Sequence, residues 1–193
     1  MVSIDAWAYL DTNIIISLTE ALDGRWRPPP PPLDRADQQR LSAARIFLYG
    51  SPARWSRWYL ATSGDARLEL RKAESLRWLD VMFPEVDRTA DRFPLEIIEA
   101  ETARYQSAGA KEADAAHLAH ASIRPWIRRF ITDDDRLRRA AQRGGLPDHL
   151  VISSSAEAEQ ALQIAEGERP PIAPHSTSPL ANECWWIPGS EYT

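Results

Sequence analysis

The segment Tyr9-Leu10-Asp11-Thr12-Asn13-Ile14-Ile15-Ile16 sets a carboxylate inside an otherwise apolar run. Ala6 to Leu10 reads as a short buried strand, and the residues from Ile14 read as the start of a helix. Asp11 then stands at the carboxyl end of a strand, where open α/β sheets place their ligands. A carboxylate withdrawn from water must be hydrogen-bonded, paired or bound to a cation, because a bare one costs several kcal/mol. One ordinary answer is a capping turn, since Asp-Thr-Asn also caps helices.

The same pattern returns. Apolar strand segments are expected at about residues 4–11, 58–61, 127–132 and 149–153. Helical segments are expected at about 13–22, 36–49, 65–82, 95–108, 111–122, 135–143 and after Ser154, whose Ser-x-x-Glu157 spacing is that of a capping box. Strands separated by helices imply parallel pairing. The expected fold is a three-layer α/β/α sandwich around a mostly parallel sheet of four to five strands. Pro28 to Pro32 lack amide donors, so residues 24–34 form a polyproline-like surface insert. Residues 1–167 read as one domain. Residues 168–193 read as a tail with five prolines and the pair Trp185-Trp186, which must dock on its own domain or on a partner.

Three further segments carry acids. Phe130-Ile131-Thr132-Asp133-Asp134-Asp135 ends a strand in three carboxylates, of which one helix cap needs a single member. Asp114 shares a helix face with Leu118 and Ala121, a small apolar stripe unsuited to a solvated charge. Glu69 and Asp65 lie one turn apart in the helix after the second strand, and either can reach the sheet edge. Acids converging there need a compensating cation, and all-oxygen ligands suit Mg²⁺ or Mn²⁺. His117 and His120 have no zinc-site spacing with cysteine and read as packing or surface residues.

The chain holds 193 residues with a net charge of −5, which is not that of an obvious nucleic-acid binder. Setting four site carboxylates aside leaves −1. Of 23 basic residues only Lys72 and Lys111 are lysine; arginine is the better bidentate partner for phosphate, although an arginine-rich composition alone produces the same bias. The single cysteine, Cys184, allows no internal disulfide. No run spans a bilayer, no secretory leader is evident, and a cytoplasmic location is expected.

In the order and spacing of Leu10-Asp11-Thr12-Asn13, Thr62-Ser63 with Arg67-Leu68-Glu69-Leu70, Asp114-Ala115-Ala116-His117-Leu118-Ala119, and Phe130-Ile131-Thr132-Asp133-Asp134, the chain resembles the PIN-domain nucleases, which include the VapC-type toxins. The resemblance implies an acidic quartet of Asp11, Glu69, Asp114 and Asp134, assisted by Thr12 or Asn13 and by Thr132. It favours Asp134 over Asp133 and Asp135. It implies a Mg²⁺-dependent ribonuclease with Arg67, Arg71 or Arg136 on substrate phosphates, an antitoxin-like partner and a homodimer. The competing expectations are a PIN-like binding scaffold without catalysis and an Asp-based phosphoryl-transfer domain.

Overall fold

The computed structural model describes residues 7–22, 26–50, 58–70, 93–170 and 183–190. Along these the elements run β1 (Trp7–Leu10), α1 (Thr12–Leu22), α2 (Arg35–Gly50), β2 (Tyr59–Ala61), α3 (Gly64–Glu69), α4 (Leu95–Ser107), α5 (Glu112–Ser122), β3 (Ile127–Ile131), α6 (Asp135–Gly144), β4 (Val151–Ser153) and α7 (Ser155–Leu162). The four strands form one all-parallel sheet in the order β2-β1-β3-β4.

Side-chain alternation along the strands builds the three layers. Ala8 and Leu10 of β1, Leu60 and Ile131 pack with α1, α2, α3 and α7 on one face. Tyr9, Ile127 and Phe130 pack with α4, α5 and α6 on the other. The strands are short; β1 is apolar throughout, whereas β3 carries Arg128 and Arg129 before its buried Phe130 and Ile131.

The strand order fixes where a ligand can enter. The chain leaves β1 for β2 in one direction and leaves β3 for β4 in the other. The connections that follow the adjacent strands β1 and β3 therefore run to opposite sides of the sheet, which makes their carboxyl ends the topological switch point. Asp11 follows β1 and Thr132 to Asp134 follow β3, so both acidic segments stand at that switch point.

One expected helix is corrected. α3 stops at Glu69 rather than running on to residue 82: Leu70 adopts an extended backbone (φ −72°, ψ 113°) and turns its side chain into the core. Residues 71–92, with the remainder of that expectation and Arg71, lie outside the described residues. Pro28 to Pro32 form an irregular segment with bends at 30–32 in place of a regular polyproline helix; residues 24 and 25 lie outside the described residues.

The Trp pair docks on its own chain. Trp185 and Trp186 are 4% and 3% exposed and join the core beside α1, α2 and α7. Trp26 meets the ring of Trp185 edge-on at 5.1 Å. The Arg45 Nε donates to the Trp186 carbonyl at 2.9 Å, and the Gly167 amide to that of Pro188 at 2.8 Å.

At α7 the capping box is complete. The Glu157 amide donates to Ser154 Oγ at 3.2 Å, and the Ser154 amide donates to Glu157 Oε2 at 2.7 Å. Ser154→Ala is expected to cost about 1 kcal/mol in chemical denaturation. An unchanged midpoint would show that Glu157 holds the helix start alone.

Candidate functional site

Asp11 is 3% exposed, and its two oxygens are bound in different directions. Oδ1 accepts the Thr12 amide at 2.8 Å, the capping half of its role. Oδ2 accepts the Thr132 hydroxyl at 2.6 Å and the Asn13 amide nitrogen at 2.5 Å. Asn13 also donates to Thr132 Oγ1 at 2.9 Å, and its carbonyl oxygen accepts the Asp133 amide at 3.1 Å. These bonds latch the end of β1 to the end of β3. A cap alone explains one oxygen and not the other. Burial outweighs the opposing effects of the His117 charge and of these hydrogen bonds, pushing the Asp11 carboxyl up to about 6.

The centre of the site is a residue that the sequence reading set aside. His117 is no surface group: its ring is 0% exposed. Its Nδ1 lies 2.7 Å from the Tyr9 hydroxyl and 3.3 Å from Ser63 Oγ, while Nε2 lies 3.2 Å from Thr12 Oγ1 and 3.2 Å from Glu69 Oε2. Burial works against a charged ring, but the Glu69 bond and the fields of Asp11, Glu69 and Asp65 outweigh it and raise the pKa. The visible signal was its place one turn after Asp114, on a helix face that the sheet must cover.

Of the two acids on α3, Glu69 turns to His117 and Asp65 turns away. Asp65 accepts from Ser63 Oγ at 3.2 Å and lies 3.1 Å from His120 Nε2. Burial raises the Glu69 pKa, but the His117 and Thr12 bonds exceed it and leave the carboxyl below its ordinary value. Besides His117 and Thr12, no donor among the described residues reaches the Glu69 carboxylate.

Asp114 is half-buried in the first turn of α5, with no hydrogen-bond donor among the described residues. Burial raises its pKa, and repulsion from Asp134 and Glu69 raises it further against the pull of Lys111 and His117. The field of Asp114 also acts on Asp11. The four carboxylates thus belong to one electrostatic neighbourhood.

The acidic triplet separates into three tasks. Asp133 gives Oδ1 to the Ser155 amide (2.9 Å) and Oδ2 to its hydroxyl (2.7 Å), tying β3 to the start of α7. Asp135 gives its two oxygens to Arg138 (2.5 Å) and Arg35 (2.9 Å) on the surface. Asp134 caps α6 through Oδ1, which accepts the Arg136 amide at 2.7 Å and the Leu137 amide at 3.1 Å. Its Oδ2 has no donor among the described residues. Of the three, only Asp134 keeps an oxygen for another ligand.

No family model, curated protein or solved structure matches this chain. What the site can do must therefore be argued from its chemistry.

The oxygen-only donors suit a hard divalent cation, and the raised pKa values of Asp11 and Asp114 mark negative charge that the protein leaves under-compensated. Among the described residues, however, no group of three or more acidic, histidine or cysteine side chains is placed to hold a metal ion. The oxygens of Asp114 and Oδ2 of Asp134, which have no donor among the described residues, would have to move together with Glu69 to form one. Arg136 is exposed at the start of α6, beside Asp134, and its guanidinium has no partner among the described residues. Arg67 is on α3, but its side chain lies outside the described set. Among the described residues no helix is long and apolar enough to cross a membrane.

Proposed function

We propose that this chain is a PIN-type, Mg²⁺-dependent ribonuclease acting at the carboxyl edge of β1 and β3, with Mn²⁺ as a substitute ion. The supporting observation is that Asp114 and one oxygen of Asp134 have no donor among the described residues and share the field of Glu69 and the buried Asp11. Asp11, Glu69, Asp114 and Asp134 would hold the ion. A bound Mg²⁺ supplies charge neutralisation at a scissile phosphate and a more acidic water. The protein's own share is orientation. Thr132 and Asn13 fix Asp11, the α6 amides fix one oxygen of Asp134, and His117 fixes one oxygen of Glu69. Arg136, with Arg67 and Arg71, would meet phosphates of single-stranded or structured RNA.

Mn²⁺ titration of the full chain should give binding that Asp134→Asn weakens by about tenfold or more and Asp133→Asn weakens less. The wild type should cleave RNA only with a divalent ion present. Absence of both binding and cleavage would remove the nuclease reading and leave a PIN-like binding scaffold, which the unclosed ligand set favours. An Asp-based phosphoryl-transfer domain fits less well, because both Asp11 oxygens accept hydrogen bonds and the carboxylate is too buried to attack phosphorus. For the biological role we propose the toxin of a toxin–antitoxin pair, acting in the cytoplasm as a homodimer with an antitoxin-like protein. Growth arrest on expression, relieved by Asp11→Asn, tests that role.

A further inference from the structure

We propose that His117 is the positioning residue of Glu69: its Nε2–H clamps Glu69 Oε2 from the core side and aims Oε1 outward. This rests on reading Glu69 as a metal-site carboxylate. The direction of each bond follows from donor and acceptor chemistry. A carboxylate accepts only, so the hydrogen in the 3.2 Å contact between His117 and Glu69 sits on Nε2. That holds for the neutral ring and for the imidazolium alike. Ser63 gives its own hydrogen to Asp65. In the neutral ring Nδ1 then accepts from the Tyr9 hydroxyl at 2.7 Å.

Tyr9 is itself fixed, since its ring is 2% exposed and stacks on Phe130 with centroids 5.2 Å apart. The order of support is therefore strand, tyrosine, imidazole, carboxylate. Thr12 Oγ1, 3.2 Å from the same Nε2, closes the near side. A ligand whose outer partner fixes its orientation gives up less freedom on binding, and losing such a partner commonly costs 10–100-fold in metal affinity.

A ring that only fills the core would tolerate other substitutions than a ring that donates to Glu69. The glutamine amide reaches the Nε2 position, whereas that of asparagine reaches only the Nδ1 position. Titration of the full-length protein with Mn²⁺ alone separates the two roles. We expect His117→Gln to bind within about threefold of wild type and His117→Asn to bind about tenfold more weakly. In a Glu69→Gln background His117→Asn should add little, because the residue acts through Glu69.

Wild-type affinity in a folded His117→Asn variant, or an equal loss with and without Glu69, overturns the proposal. Should His117→Asn fail to fold, the ¹⁵N spectrum of the wild-type imidazole decides: a hydrogen on Nε2 is expected, and a neutral ring carrying it on Nδ1 overturns the clamp. If wild type binds no Mn²⁺, the metal reading falls, while the ring spectrum still tests the clamp by itself.

Discussion

Asp11→Asn is expected to raise the melting temperature of the metal-free protein at pH 7.5 while abolishing Mg²⁺-dependent cleavage. Burial lifts the Asp11 carboxyl from 3.8 to about 6, so the folded state holds its proton more tightly than the unfolded chain. The associated stability is fully present below about pH 3.8 and is lost as pH rises through about 6. At neutral pH the ionised, buried carboxylate weakens the fold by up to about 3 kcal/mol, at about 1.4 kcal/mol per pKa unit. An amide has no charge to desolvate, although with one acceptor oxygen it cannot satisfy Thr12, Asn13 and Thr132 together. The net gain should be about 1–2 kcal/mol, or about 2–8 °C. Melting curves between pH 4 and pH 8 should show the difference shrinking toward pH 4. Saturating Mg²⁺ should reverse the order, because only the wild type gains by binding. A variant no more stable than wild type at pH 7.5 would show that the latch outweighs the desolvation.

Trp186→Ala should cost about 3–5 kcal/mol, the range for truncating a large buried aromatic ring. The ring is 3% exposed, meets Trp185 edge-on at 5.4 Å and belongs to the cluster built from α1, α2 and α7. The Arg45 contact uses the Trp186 backbone carbonyl, which alanine keeps, so the loss measures packing. Denaturant unfolding checks it. A change below about 1 kcal/mol would mean that the segment adds little to this core. Removing residues 168–193 should do more, since it also strips the Tyr49 hydroxyl of its Glu168 carbonyl acceptor and uncovers Arg45.

The strands and most helices were legible because each obeys a local rule. Buried runs such as Phe130-Ile131 need no partner to be recognised, and Ser154-x-x-Glu157 carries its own cap. The end of α3 was not legible, because Arg-Leu-Glu-Leu continues a helical pattern although Leu70 is extended and buried. At the site, the sheet edge and the positions of Asp11 and Thr132 follow from strand ends. The tasks of Asp133, Asp134 and Asp135 do not, since adjacent identical side chains are told apart only by Ser155, the α6 amides and the two arginines. His117 reads as a packing or surface residue, and its burial fits the first, but its polar partners were hidden for a related reason. An Ala-rich helix hides whether an imidazole meets solvent or acids, and its four partners come from β1, α1, the end of β2 and α3. Arg45 was equally invisible: it lies among apolar positions of α2 and is held there by Glu159 at 2.7 Å.

The latch between Asp11 and Thr132 joins residues 121 positions apart, and His117 meets Thr12 across 105. During synthesis the first acid leaves the ribosome long before the partners that shape it exist. Any chemistry at this edge is therefore withheld from an unfinished chain and begins only when β3 docks beside β1. Under the proposed nuclease function, that delay spares the ribosome making the chain.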